Sequence, residues 1–166
     1  IKKLEKKINF EISKNQNFIE YSELGLNYLE EISKIIKKNT GGLLLIDYGY
    51  EDKKMKNTLK GVSKHKFANI LDNIGNTDIT HNINFDIFKK FTKQMGNLES
   101  ILTSQKKFLL RMGISERAEV ISKNLNFSEK ANIYYRLRRL IDDHQMGSLF
   151  KVMLIKNKKN KFNLGF

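Results

Sequence analysis

The sequence predicts an α/β fold built on an open sheet, and three observations carry that prediction. A helical period that starts near Ser22 stops on Gly41-Gly42 and gives way at once to a wholly apolar run, Leu43–Ile46, which ends in an Asp47-Tyr48-Gly49 corner. A short run apolar on both faces, directly after a helix, reads as an internal strand that delivers polar groups to the carboxyl edge of a sheet. A second run, Leu149–Ile155, is apolar on both faces except at Lys151. Finally, no glycine-rich phosphate or nucleoside loop precedes the first run anywhere in the chain. The sequence therefore reads as one half of a ligand-binding α/β sheet.

Taken in order, Ile8, Phe10 and Ile12 alternate with Asn9, Glu11 and Ser13 and predict a half-buried strand. Asn15-Gln16-Asn17 reads as a turn. Leu24, Tyr28, Leu29, Ile32, Ile35 and Ile36 recur at three and four and mark one face of a helix capped by Ser22. After the apolar strand, Glu51–Ser63 is lysine-rich and reads as a mobile loop above a sheet edge. Phe67–Leu71 leads to a turn at Asn73–Asn76. Asn84 should cap a helix with Phe88, Phe91 and Met95 inward, closed by Gly96. Leu98–Leu102 reads as a strand, Ser104 as the cap of a helix ended by Gly113, and Ser115 and Ser128 as caps of two more. Gly147 opens the run to Ile155, expected as a central strand, and residues 156–166 as a solvated basic tail. With no internal repeat or low-complexity linker, residues 1–166 read as a single, partial domain.

Composition narrows the function classes. The chain has no cysteine, so thiolate metal sites and disulfides are excluded, and its three histidines show no ligand spacing. No apolar run approaches the roughly 20 residues of a membrane span. The formal charge of +13 invites a nucleic-acid reading. Lysine supplies 26 of the 31 basic residues, whereas base and phosphate forks favour arginine. Abundant Lys, Asn and Ile with no proline point instead to an AT-rich coding bias, so a nucleic-acid partner is set aside.

Five blocks in order resemble the MidA-like S-adenosylmethionine-dependent methyltransferases. They are GGLLLIDYGY (Gly41–Tyr50), TLKG with a following histidine (Thr58–Gly61, His65), TDITHNINF (Thr77–Phe85), TSQKKFLLRMGISER (Thr103–Arg117) and MGSLFKVM (Met146–Met153). The family includes the mitochondrial arginine methyltransferase that assists assembly of respiratory complex I. The resemblance implies a Rossmann-like class I methyltransferase sheet, of which this chain would supply strands 5-7-6 with flanking helices. The cofactor, S-adenosylmethionine, would sit mostly on the absent amino-terminal half. It further implies transfer to arginine of a protein substrate, in a bacterial cytoplasm or the mitochondrial matrix, with the amino-terminal half as partner if separately encoded. The chain departs from the family pattern at Ile74-Gly75, where proline-glycine is usual, and at Lys60, where arginine is.

Within this frame Asp47 and Tyr48 are the candidate catalytic pair: a carboxylate could orient a guanidinium or amine, and the phenol could contact cofactor or substrate. The alternative is that Asp47 caps a loop and Tyr48 packs beneath it. Gly49, His65, Asp78 and Thr80 are candidate substrate-binding residues. Gly49 would permit a positive φ or a close backbone approach. Asp78 and Thr80 could equally cap the local backbone, and His65, between Lys64 and Lys66, could equally be an exposed surface residue. Gln105 reads as structural, and His81 and His144 carry no assigned role. The Tyr134–Arg139 segment reads as a core stripe with a basic outer face. Besides a methyltransferase portion, two other readings stay open: a non-catalytic split-gene remnant or partner-binding scaffold, and a basic nucleic-acid-binding module.

Overall fold

The structure, a computed structural model, describes residues 1–9 and 11–166. Its elements are α1 (Lys2–Ile8), α2 (Glu23–Asn39), β1 (Gly42–Tyr50), β2 (Lys60–Ser63), β3 (Lys66–Ala68), β4 (Asp78–Thr80), β5 (Ile83–Asn84), α3 (Phe85–Gln94), β6 (Leu98–Ser104), α4 (Gln105–Arg111), α5 (Ile114–Ser122), α6 (Phe127–Ile141), α7 (Met146–Leu149) and β7 (Phe150–Asn157). The main sheet has the order β5-β1-β7-β6, and a small one the order β3-β2-β4. β7 runs antiparallel between β1 and β6, from Gly42↔Lys156 to Tyr48↔Phe150 on one side and from Leu98↔Asn157 to Ser104↔Lys151 on the other. The expected strands 5-7-6 are thus β1, β7 and β6, with β7 central and Val152–Ile155 buried on both faces.

Directly opposed residues of antiparallel strands share a face. Leu43, Leu45, Met153, Ile155 and Leu102 therefore line one side, where they meet Leu26, Leu29 and Ile36 of α2 and Phe85, Ile87 and Phe91 of α3. α2 starts as the sequence predicts, with the Ser22 Oγ accepting from the Gly25 N–H at 3.0 Å. Its buried face is rotated from the expected one, running through Leu26, Leu29, Ser33 and Ile36, so Leu24, Tyr28, Ile32 and Ile35 face solvent. The helix is apolar on two stripes, and periodicity alone could not say which one meets the sheet.

β1 is covered on one flank only. β5 pairs with it in parallel at Gly49↔Ile83 and Tyr50↔Asn84. Along Gly42–Tyr48 no strand among the described residues lies on the edge away from β7. On the face opposite the core, Leu44 and Ile46 stay 46% and 51% exposed although their β7 partners Leu154 and Val152 are buried.

Several expectations are corrected. The alternation at Ile8–Ser13 is no strand: Lys2–Ile8 is helical, Asn9 stops it in the left-handed region at φ 47°, and Phe10 lies outside the described residues. Leu4 and Ile8 sit four apart among good helix formers, which outweighs three alternating positions. The Glu51–Ser63 segment is pinned rather than mobile. Met55 and Thr58 are buried, Gln16 bonds to the Met55 N–H and the Lys53 carbonyl, Asn84 donates to the Asp52 carbonyl, and Lys60–Ser63 forms β2. Ser115 and Ser128 lie inside helices. Gly113 begins α5, and Asn126 begins α6 with a reciprocal Glu129 capping box that Ser128 cannot match. Leu149 belongs to α7, not to the strand.

The solvated tail begins later than residue 156. Lys156, 3% exposed, lies in β7 and donates from Nζ to the Phe162 carbonyl at 3.1 Å and to Asn163 Oδ1 at 2.6 Å, with Glu99 at 3.6 Å. Gly165 packs against the Phe108 ring, which also stacks with Phe166 at 5.4 Å between centroids.

Candidate functional site

The polar corner of β1 opens onto a cavity of about 220 Å³. Its walls come from the segment before α2 (Glu20, Tyr21), the start of α2 (Ser22, Gly25, Leu26), Asp47, the β4–β5 connection (His81, Asn82), β5 (Ile83, Asn84) and α3 (Ile87, Phe88). The lining is mostly apolar, with two carboxylates set into it.

Asp47 reaches the cavity because it follows Leu43 and Leu45 on the core-facing side of the strand, past the point where α2 covers it. Its Oδ1 accepts the Tyr48 N–H at 2.7 Å, a local bond that fixes the rotamer. Tyr48, the next residue, is sent by strand alternation to the opposite face, where its ring lies against Phe150 at 4.1 Å between centroids. The structure therefore separates this candidate pair: Asp47 is in the cavity and Tyr48 beside the uncovered face of β1.

Gly49 settles between its two expected reasons. Its φ is not positive, but a Cβ there would meet Phe85 Cε2 at 2.4 Å and the Ile83 carbonyl oxygen at 2.5 Å. Close approach is what glycine permits, and it lets β5 and the cavity wall it carries sit against β1.

The other candidates lie elsewhere. His65 is at the exposed tip of the β2–β3 hairpin, where Lys64 and His65 both have positive φ, 49° and 62°, in a two-residue turn. Asp78 and Thr80 are on β4, paired with Val62 and Lys60, and neither lines the cavity.

The residues that do line it include two without an assigned role in the sequence. Glu20 is 19% exposed at its side chain, and its two oxygens accept the N–H and the O–H of Thr58. The Thr58 oxygen in turn accepts the Asn82 N–H at 2.8 Å, so the hydroxyl proton is directed at Glu20. His81 Nδ1 stands 3.8 Å from Glu20 Oε1. Thr58, His81 and Asn82 belong to the quoted blocks, but Glu20 lies well before the first of them, which begins at Gly41. Its only sequence signal is an acid two residues before a helix cap.

The rim of the corner is tuned by burial. Burial pushes the Tyr50 phenol up, against the Lys56 N–H it accepts at 3.0 Å, and the charges of Glu20 and Asp52 push the same way. Lys151, opposite Asp47 in register, is pushed down first by burial and then by the neighbouring Lys56 charge. Among the described residues no three His, Asp or Glu side chains converge as metal ligands.

A β5-β1-β7-β6 sheet with an antiparallel strand beside the site strand, helices packed on it and acids at the carboxyl corner is a mixed α/β sheet of the methyltransferase type. The family model described as "Putative S-adenosyl-L-methionine-dependent methyltransferase" matches residues 1–103, and the chain belongs to that family. It is similar to the mitochondrial protein arginine methyltransferase NDUFAF7 of Danio rerio, 26% identical over 129 residues, which are 78% of this chain and 30% of that one. The Homo sapiens protein of the same name is 28% identical over 124 residues, 74% of this chain and 27% of that one. The chain thus spans about a third or less of the curated relatives it matches. Two solved structures from Burkholderia thailandensis share the fold. One is an uncharacterized protein with a TM-score of 0.73 and 22% identity, over 87% of this chain and 40% of that one. The other, bound to S-adenosyl-homocysteine, has a TM-score of 0.71 and 22% identity, over 88% and 39%.

Proposed function

We propose that this chain is the acceptor side of an S-adenosylmethionine-dependent protein methyltransferase that modifies arginine, with a respiratory complex I subunit as target. It acts once a glycine-rich amino-terminal half completes the sheet. The observation that carries this reading is the convergence of blocks distant in sequence on one small cavity. Asp47, His81 and Asn82 line it at the carboxyl corner of β1, and Thr58 bonds to Asn82 and Glu20 in its wall.

The cavity does not fit the cofactor as a body. At about 220 Å³ it falls below the roughly 300–1,000 Å³ of pockets that enclose whole ligands, and the chain has no glycine-rich turn for a nucleoside. It does fit the end of a long side chain, with an apolar stem against Tyr21, Ile83 and Phe88 and a polar head at the carboxylates. In this reading Asp47 orients the acceptor nitrogen and takes its proton, while Ile87 and Phe88 exclude water. Gly49 shapes the wall. Tyr48 meets the completing polypeptide or the donor. His65, Asp78 and Thr80, on the small sheet, touch the substrate protein outside its arginine.

The open edge of β1 supports the partner. Seven residues of backbone, with apolar Leu44 and Ile46 on one face and the Tyr28–Ile35 stripe of α2 on the other, invite a strand with its own helices. The same edge favours a second reading, a non-catalytic piece that only binds a partner. No described helix is long and apolar enough to cross a membrane. The similar proteins are named as mitochondrial, and the location that goes with the proposal is the mitochondrial matrix or, in a bacterium, the cytoplasm.

The test is co-expression with an amino-terminal polypeptide that carries a glycine-rich methyltransferase half. The complex is then incubated with methyl-labelled S-adenosylmethionine and complex I subunits, and the product is hydrolysed to amino acids. Labelled methylarginine is expected. Label on another residue overturns the arginine assignment, and a complex that binds donor and transfers nothing leaves the scaffold reading.

A further inference from the structure

We propose that Glu20 is the specificity-determining residue of the cavity: its carboxylate recognises a guanidinium carried on an aliphatic stem. This rests on the reading above and names a residue that sequence blocks and relatives leave without a role.

The chain carries 31 Lys and Arg against 18 Asp and Glu, so acids find cationic partners easily. Glu30, Asp86, Glu51 and Asp143 each hold a lysine. Glu20 does not. Although its side chain is only 19% exposed, its one ionic neighbour among the described residues is His81, at 3.8 Å and charged only when protonated. A largely buried carboxylate in so basic a chain is a place kept for a cation that arrives from outside.

The local bonds keep it aimed. The Thr58 N–H and O–H take one site on each oxygen, out of roughly four lone-pair sites on a carboxylate. One site per oxygen is left, the pattern a forked guanidinium meets with two parallel N–H donors. Thr58 itself is fixed by Asn82, so the carboxylate does not swing. Tyr21, Leu26, Ile83 and Phe88 supply the apolar wall along which an arginine stem lies. A lysine ammonium can satisfy one oxygen but not both in plane, and citrulline, of the same shape, brings no charge.

The experiment uses the full chain, labelled with nitrogen-15, titrated with N-acetyl-arginine methylamide, the lysine analogue and the citrulline analogue. Arginine should shift the amides of Tyr21, Thr58 and Asn82, more tightly than lysine, with citrulline weakest. Glu20→Gln keeps an acceptor for Thr58 and should weaken arginine binding about ten-fold or more, the loss of a charge-assisted fork. Glu31→Gln, on the exposed face of α2, removes the same charge elsewhere and should bind as the parent chain does. Equal binding of arginine and citrulline, shifts centred away from these amides, or equal losses in the two variants would overturn the proposal. If Glu20→Gln fails to fold, the order of the three probes on the parent chain decides. Guanidinium capture without methylarginine in the co-expressed complex retires the enzyme reading and leaves the site. Methylarginine formed equally well by the Glu20→Gln complex does the reverse.

Discussion

Replacing Gly49 by alanine tests whether the cavity is held by close contact between β1 and β5. A methyl carbon at Gly49 would stand 2.4 Å from the Phe85 ring and 2.5 Å from the Ile83 carbonyl, against the roughly 3.5–4.0 Å at which carbons rest. Phe85 is fully buried and cannot swing away. The Ile83 carbonyl is backbone, paired with Gly49 itself. More than an ångström must therefore open between two strands. Overpacking by such groups costs about 1–3 kcal/mol, and with one obstacle backbone the upper end applies, about 3 kcal/mol. For a chain of this length that lowers Tm by about 6–12 °C. Thermal and urea unfolding followed by circular dichroism reads it, with Gly41→Ala as the comparison. At Gly41 a Cβ meets nothing within 4 Å and φ is not positive, so that variant should stay within about 0.5 kcal/mol of the parent. If the two substitutions cost the same, the contact is not what glycine serves at position 49.

Asp47→Asn keeps the acceptor for the Tyr48 N–H and should leave folding intact, while turnover of the completed enzyme falls by about 100-fold or more. A melted protein with full activity per folded molecule would make Asp47 a structural cap. Calorimetry on this chain alone should show no heat with S-adenosylmethionine, and a micromolar Kd would refute the half-sheet reading. Lys156→Ala removes the donor to Phe162 and Asn163, so trypsin should cut at Lys158–Lys161 far sooner at unchanged core stability; an unchanged cleavage rate would show the clasp to be dispensable. Glu30 joins α1 to α2, held below its ordinary range by hydrogen bonds to Lys7 and then Lys34. A lowered carboxylate contributes stability that is present above its unfolded pKa, about 4.3, and is lost as pH falls through the lower folded value. Glu30→Gln should therefore flatten the acid side of the stability profile, and a profile identical to the parent's would refute the assignment.

β1 and β7 were legible because Leu43–Ile46 and Val152–Ile155 are short apolar runs with no polar face, although only β7 is buried on both faces here. The caps Ser22, Asn84 and Ser104 were legible for a similar reason, each having a side-chain oxygen three or fewer residues before an orphan N–H. The buried stripe of α2 was not, since Leu24–Ile35 and Leu26–Ile36 are equally apolar and the choice depends on what the sheet presents. The small sheet escaped because β2, β3 and β4 are three or four residues long, with Phe67 and Ile79 exposed, so no alternation separates them from loop. At the site, Asp47 could be read from its strand and Gly49 from its corner. Tyr48 could not be excluded from the cavity without the face it takes, and Glu20 could not be included without the fold of residues 11–21 against Met55 and Thr58.

The position of β7 has a consequence for how the molecule comes into being. β1 and β6 never touch in the sheet; β6 is joined only to β7, and β1 to β7 along its length and to the two-residue β5 at its far end. The strand that joins them thus leaves the ribosome after every other strand of the two sheets. Until it emerges, β6 waits without a strand partner and β1 has only β5 at its far end, and the long-range pairing that joins them forms late and slowly. A stop codon or frameshift just before Phe150 would not trim an ornament. It would remove the strand between the other two, and a nascent chain held at that point is the form most in need of a chaperone.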